Sequence, residues 1–214
     1  MDRFSFIFAF YGLILGLAVT EVLGGFADFA RRHRIRDLGA PTALLALLVF
    51  VDICATWLDA WQTLRDVPLN FEGMLAPILT ATFYYLAAAM VFPRDDRSAE
   101  GVEAYFVKRK GFVAVMLLAA EICITFTFMD FYRSELATRP AVFWYWHVPY
   151  KLLILWGLAA LAFSRRRRVD LAAILFVLFL FVVPYWTRGA LQVWVHEHFD
   201  TPGVSASQNP SASS

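Results

Sequence analysis

The chain has 214 residues, 60% of them hydrophobic and 17% charged, with a formal net charge of +1 and a mean hydropathy of +0.58. An ordinary soluble domain is about half apolar. This composition therefore argues against a water-soluble globular fold and makes lipid the expected solvent.

A helix needs about 20 mostly apolar residues to cross a bilayer core, and six such windows occur along the chain. The first runs from Phe4 to Phe29. A cleavable signal peptide carries positive charge before a short apolar core; here the core is longer and Arg31, Arg32, Arg34 and Arg36 follow it, so the segment reads as a permanent span. Within it Gly12, Gly16, Thr20 and Gly24 recur every four residues, a ridge of small side chains that lets another helix approach, here read as one of the same chain. Glu21 and Asp28 share a helix face, and Asp28 has Arg31 and Arg32 one turn further on, the spacing of an interfacial salt bridge.

The second window, Pro41 to Gln62, carries Asp52, Thr56 and Asp59 at i, i+4 and i+7. The third runs from Gly73 to Phe92 and leads into the longest basic loop, Pro93 to Lys110, where Val102, Tyr105 and Phe106 have the spacing of a short surface helix. The fourth, Gly111 to Phe131, holds Glu121 and Thr125. The fifth, Val142 to Phe163, holds His147 and Lys151, again at i and i+4. The sixth, Leu171 to Arg188, is apolar on every side, unlike a barrel strand of about ten alternating residues. Pro184 is expected to kink or end it, with Tyr185 and Trp186 in the interfacial belt. The fold class is thus all-α, a polytopic bundle of six transmembrane helices over residues 1–200, followed by a polar tail over 201–214 with nothing to bury. Glu21 to Asp28-Phe29 is echoed by Glu121 to Asp130-Phe131 in an oppositely directed span, a short likeness of the kind inverted-repeat transporters show.

Cytoplasmic loops are enriched in Lys and Arg. Thirteen of the 19 lie after the first, third and fifth windows: Arg31, Arg32, Arg34 and Arg36; Arg94, Arg97, Lys108, Arg109 and Lys110; and Arg165 to Arg168. Both termini are therefore expected on the opposite side. Beside apolar spans, these basic runs read as orientation signals and contacts to anionic lipid rather than to nucleic acid.

Burying an ionised side chain in hydrocarbon costs at least a few kcal/mol, so charges within spans are the best pointers to function. Counted at about 1.5 Å per residue from the basic face, Asp52 and Glu121 lie roughly 15 to 18 Å deep; Lys151, counted inward from the opposite face, falls at a similar level, and the three are expected to meet. Three acids, Asp52, Asp59 and Glu121, then face one firm cation, Lys151, with His147 beside it. Two readings fit: a proton or small-cation pathway using Asp52, Asp59, Glu121, His147 and Lys151, with Glu21 as a further acid, or a buried ion pair that only sets helix register.

Other chemistry finds little footing. No serine lies mid-span to serve as a nucleophile, no His-Glu-x-x-His or Gly-rich phosphate loop occurs, and no arginine ladder marks a voltage sensor. His196, Glu197, His198 and Asp200 lack an assignable third metal ligand and read as a polar end to the sixth span; Cys54 and Cys123 read as packing residues. No metal, cofactor or catalytic residue is assigned. A non-catalytic membrane component that binds a protein or lipid partner through the glycine ridge and the basic loops is the alternative function.

The stretch from Tyr11 through Gly12-Leu13-Ile14-Leu15-Gly16 and Thr20-Glu21 to Gly24-Gly25, leading into the arginine cluster, and Glu103-Ala104-Tyr105-Phe106 followed by Lys108-Arg109-Lys110, resemble a family of uncharacterised six-span bacterial inner-membrane proteins. The resemblance implies bacterial origin, the inner membrane and six spans. It implies no activity or site residue.

Overall fold

In a computed structural model, which describes residues 3–32, 39–63, 71–93, 102–140 and 143–199, the described chain is helical and contains no strand. Its helices are α1 (Arg3–Arg32), α2 (Ala40–Thr63), α3 (Phe71–Ala89), α4 (Val102–Thr127), α5 (Met129–Thr138), α6 (Val148–Phe163) and α7 (Arg167–Phe199), with a π-helical turn, Phe143–His147, leading into α6. Four segments are long and apolar enough to cross a membrane: Ser5–Arg31, Ala40–Trp61, Val102–Thr127 and Phe143–Phe163. The apolar part of α3, Gly73–Ala89, is shorter.

The residues divide by their contacts into two units, Met1–Phe181 and Val182–Ser214. In the second, the helical backbone of α7 continues from Val182 to Phe199. Of the kink or end expected at Pro184, the end is not taken, and the backbone at His196 to His198 is helical too. The tail 201–214, Asp200 and the side chains beyond Val183 lie outside what is described.

In the first unit α3 packs most extensively against α4 and α1. The inward stripe of α1 is Ile7, Tyr11, Leu15, Ala18, Val22 and Phe29, spaced by three, four or seven residues. Its outward face, including Leu13, Leu17 and Leu23, is apolar as well. Two glycines permit the closest packing. A Cβ on Gly25 would lie 2.1 Å from Cδ2 of Phe92, and one on Gly157 of α6 would lie 2.5 Å from Cγ2 of Val177 on α7.

The glycine ridge is placed otherwise than expected. Gly12 faces Trp57, but a Cβ on Gly16 or Gly24 would meet nothing within 4 Å, and Thr20 is exposed with its hydroxyl donated to the Gly16 carbonyl. The reason is helical phase: Gly25, next in sequence to Gly24, continues the buried stripe three residues after Val22, whereas Gly16, Thr20 and Gly24 run along the outward side.

Two further departures concern α4 and α6. The expected surface helix around Tyr105 is the start of α4 itself, continuous with the span. At its other end α4 stops at Thr127, and Asp130 lies on α5, exposed and within 3.5 Å of Arg133. The echo between the first and fourth spans therefore does not extend to equivalent positions. The π turn before α6 has a local cause: Pro149 has no N–H for the Tyr145 carbonyl, so the regular i to i+4 ladder cannot begin there.

One end of the unit gathers the basic residues. Tyr105 Oη donates to the carbonyls of Met90 and Phe92 at 3.2 and 3.1 Å, tying α4 to the end of α3. Arg167 pairs with Glu103 at the surface at 2.6 Å. Lys110, buried, donates to the Ser164 carbonyl at 2.9 Å and pairs with Asp170, also buried, at 2.5 Å. The ends of α4, α6 and α7 thus meet on an internal ion pair.

Candidate functional site

Asp52, Glu121 and Lys151 come together inside the first unit, each from a different helix. Asp52 on α2 is 0% exposed and Glu121 on α4 is 3% exposed. Lys151, near the start of α6, donates from Nζ to Oε2 of Glu121 and forms an ion pair with it. Asp52 lies within electrostatic reach of both partners of that pair.

Asp52 is held from α3. Tyr84 Oη donates to Asp52 Oδ1 at 2.8 Å, and Thr56 Oγ1 lies 2.8 Å from the same phenol oxygen. A phenol has one proton. With that proton directed to Asp52, Thr56 is the donor to Tyr84, and the polar chain runs from Thr56 through Tyr84 to Asp52. The other carboxyl oxygen, Asp52 Oδ2, is buried with no hydrogen-bond partner among the described residues. Two carboxyl groups thus share a nonpolar interior with one ammonium, and they lie close enough to share a hydrogen bond when one of them holds a proton.

Two more tyrosines border this cluster. Tyr11 on α1 is buried within electrostatic reach of Asp52, Glu121 and Asp59. Tyr132 on α5 is half-buried and interacts electrostatically with Lys151, Glu121 and Asp59. His147 sits against the rings of Phe131, Tyr132 and Phe143, with its centroid 6.1 Å from that of Tyr132. Asp59 and His147 therefore lie at the margin of the cluster, next to Tyr132, and not at its centre.

Of the acids singled out on α1, neither joins the cluster. Glu21 is half-buried and lies about 15 Å along α1 from Tyr11, toward the basic end. Asp28 is exposed.

Sequence reasoning missed Tyr84, Tyr11 and Tyr132, and it missed the Lys110–Asp170 pair. A buried tyrosine needs a partner for its hydroxyl, so Tyr84 within the apolar third window carried a signal; the same residue type also suits the interfacial belt, which hid it. Lys110 was concealed in a run with Lys108 and Arg109. Those two are exposed, and only Lys110 turns inward.

Chemically, the centre offers two carboxyl groups, an ammonium and phenol hydroxyls within one largely buried cluster, suited to taking up and handing on a proton. Comparison with protein families, with curated proteins and with solved structures finds no match to the chain.

Proposed function

We propose that the chain is a six-span bacterial inner-membrane protein, with its basic loops in the cytoplasm and both termini opposite, in which the Asp52–Glu121–Lys151 cluster moves protons or small cations. The observation that carries this reading is the charge count at the centre: two buried carboxyls against one half-buried ammonium. Neutrality in a low-dielectric interior is reached when one carboxyl holds a proton or a cation joins the site. Lys151 already occupies the cation position beside Glu121, and a metal cation needs several oxygen ligands, so a proton suits the remaining carboxyl better. The short aliphatic run from Tyr11 to Gly25 and the Glu103 to Lys110 segment support the membrane assignment through the family they resemble.

The outward-facing Gly16 and Gly24 favour a second reading, a membrane component that packs against a second copy or another membrane protein. Under either reading, exposed Lys108, Arg109 and Arg165 to Arg168 are contacts for anionic lipid headgroups.

The deciding experiment is proton and monovalent-cation flux in proteoliposomes, comparing the native chain with Asp52→Asn and Glu121→Gln at matched insertion. Native flux that either substitution abolishes is the expected result. Absence of flux across a range of pH and imposed potentials overturns the transport reading and leaves the partner-binding one.

A further inference from the structure

We infer that the buried cluster communicates with only one face of the membrane, the face carrying α5 and the Phe143–His147 turn, and is closed by a dry layer toward the basic face. The inference rests on reading the cluster as the working site.

The two directions out of the cluster differ in chemistry. Toward α5, polar groups follow one another. On α2, Asp52 is succeeded by Thr56 and then half-buried Asp59. From Lys151, which keeps 19% of its side chain exposed, Tyr132 is the next polar group, and the His147 ring lies against Tyr132. Asp59 interacts electrostatically with Tyr132 as well, so the α2 and α6 routes converge there.

Toward the basic end the neighbours are apolar and enclosed. Ala18 on α1, Leu48 on α2, Leu117 on α4 and Leu158 on α6 are each 0% exposed. They lie one turn or more beyond Tyr11, Asp52, Glu121 and Lys151 on their respective helices, all in the direction of the basic residues. The next buried polar group along α4 is Lys110, about 16 Å from Glu121 by helical rise. It is already committed to Asp170 and the Ser164 carbonyl. A proton entering from the α5 face passes from hydronium to a carboxylate oxygen of the cluster, leaving water. Between that oxygen and Lys110, α4 offers no polar side chain on its buried face. Passage to the basic face then requires a second conformation in which this layer parts, so flux should saturate as a carrier's does.

The test is thiol labelling with a charged, membrane-impermeant reagent added to one side of oriented vesicles. Single cysteines at Asp59, His147, Leu117 and Leu158 are introduced after replacing Cys54 and Cys123 with alanine. The expected result is modification of D59C and H147C from the α5 face only, and of L117C and L158C from neither face. Labelling of L117C or L158C from the basic face overturns the inference, as does resistance of both D59C and H147C. Where a variant fails to fold, hydroxyl-radical footprinting of the native chain replaces it: Tyr132 and His147 should be oxidised, and Leu117 and Leu158 spared. Oxidation of the two leucines to the same extent as Tyr132 overturns the inference. A chain that labels as expected yet conducts nothing keeps one-sided access and removes the transport reading. One that conducts and labels at Leu117 does the reverse.

Discussion

Lys110 and Glu121 stand about three helical turns apart on the same face of α4, both buried, and each is paired to a different helix: Lys110 with Asp170 on α7, Glu121 with Lys151 on α6. One helix thus contributes a cation to the internal pair at the basic end and an anion to the cluster at mid-depth. Between them α4 buries Val113, Ala114, Leu117 and Ala120. Separate ionic layers divided by an apolar one give each layer a distinct, testable role.

The Lys110–Asp170 pair should behave as a coupled unit. Removing one partner of a buried pair leaves an uncompensated charge, typically at a cost of about 3–5 kcal/mol. Lys110→Met and Asp170→Asn should each lower the unfolding temperature in detergent sharply, and the double variant should lose far less than the sum of the two. Additive losses would show that the groups do not depend on one another.

Tyr84→Phe removes the donor to Asp52 and leaves Oδ1 of a buried carboxyl without it. A buried acceptor left without its donor costs about 1–3 kcal/mol, so this variant should be clearly destabilised. Thr56→Ala, which leaves the Tyr84 donation in place, should cost less, about 1 kcal/mol. Unfolding of the two variants side by side reads the order of the chain; a larger effect at Thr56 would reverse it.

The glycines should separate into two classes. Gly25→Ala and Gly157→Ala place a Cβ 2.1 Å and 2.5 Å from buried Phe92 and Val177, an overpacking that costs about 1–3 kcal/mol. Gly16→Ala and Gly24→Ala meet open space, and the higher helix propensity of alanine should leave stability unchanged or raised by up to about 1 kcal/mol. In lipid, a loss of self-association in Gly16→Ala or Gly24→Ala without a loss of stability would identify the outward ridge as a docking face.

Topology can be tested without touching the cluster. With six crossings, reporter domains fused to the N- and C-termini should both be active outside the cytoplasm, and a reporter inserted between Arg94 and Gly101 should be active within it. Termini on opposite sides would remove the six-span reading.

The approximate positions of the helices and the meeting of three charges were legible in the sequence. Apolar windows bounded by arginine report helices because a bilayer imposes length and composition together, and counting helical rise from the ends of the windows, inward from the basic side for Asp52 and Glu121 and from the opposite side for Lys151, was enough to bring the three to one level. Less legible were the features set by rotation about a helix axis. Lys108, Arg109 and Lys110 are consecutive basic residues, yet only the last turns inward, because α4 starts at Val102 and carries them in its first turns. Gly24 and Gly25 are likewise neighbours with opposite surroundings.

By itself, then, the sequence determined the apolar composition, the helical class and the level along the helices at which the buried charges meet, because these depend on composition and on distance along the chain. The tertiary structure alone decided that Glu121 pairs with Lys151, that Tyr84 holds Asp52, that Lys110 reaches Asp170, and that Gly16, Thr20 and Gly24 of the expected ridge face outward. Those outcomes depend on which face each helix turns to which neighbour. In helices apolar on nearly every side, residue periodicity gives that choice little direction, and the packing of small residues and the pairing of a few buried polar groups make it.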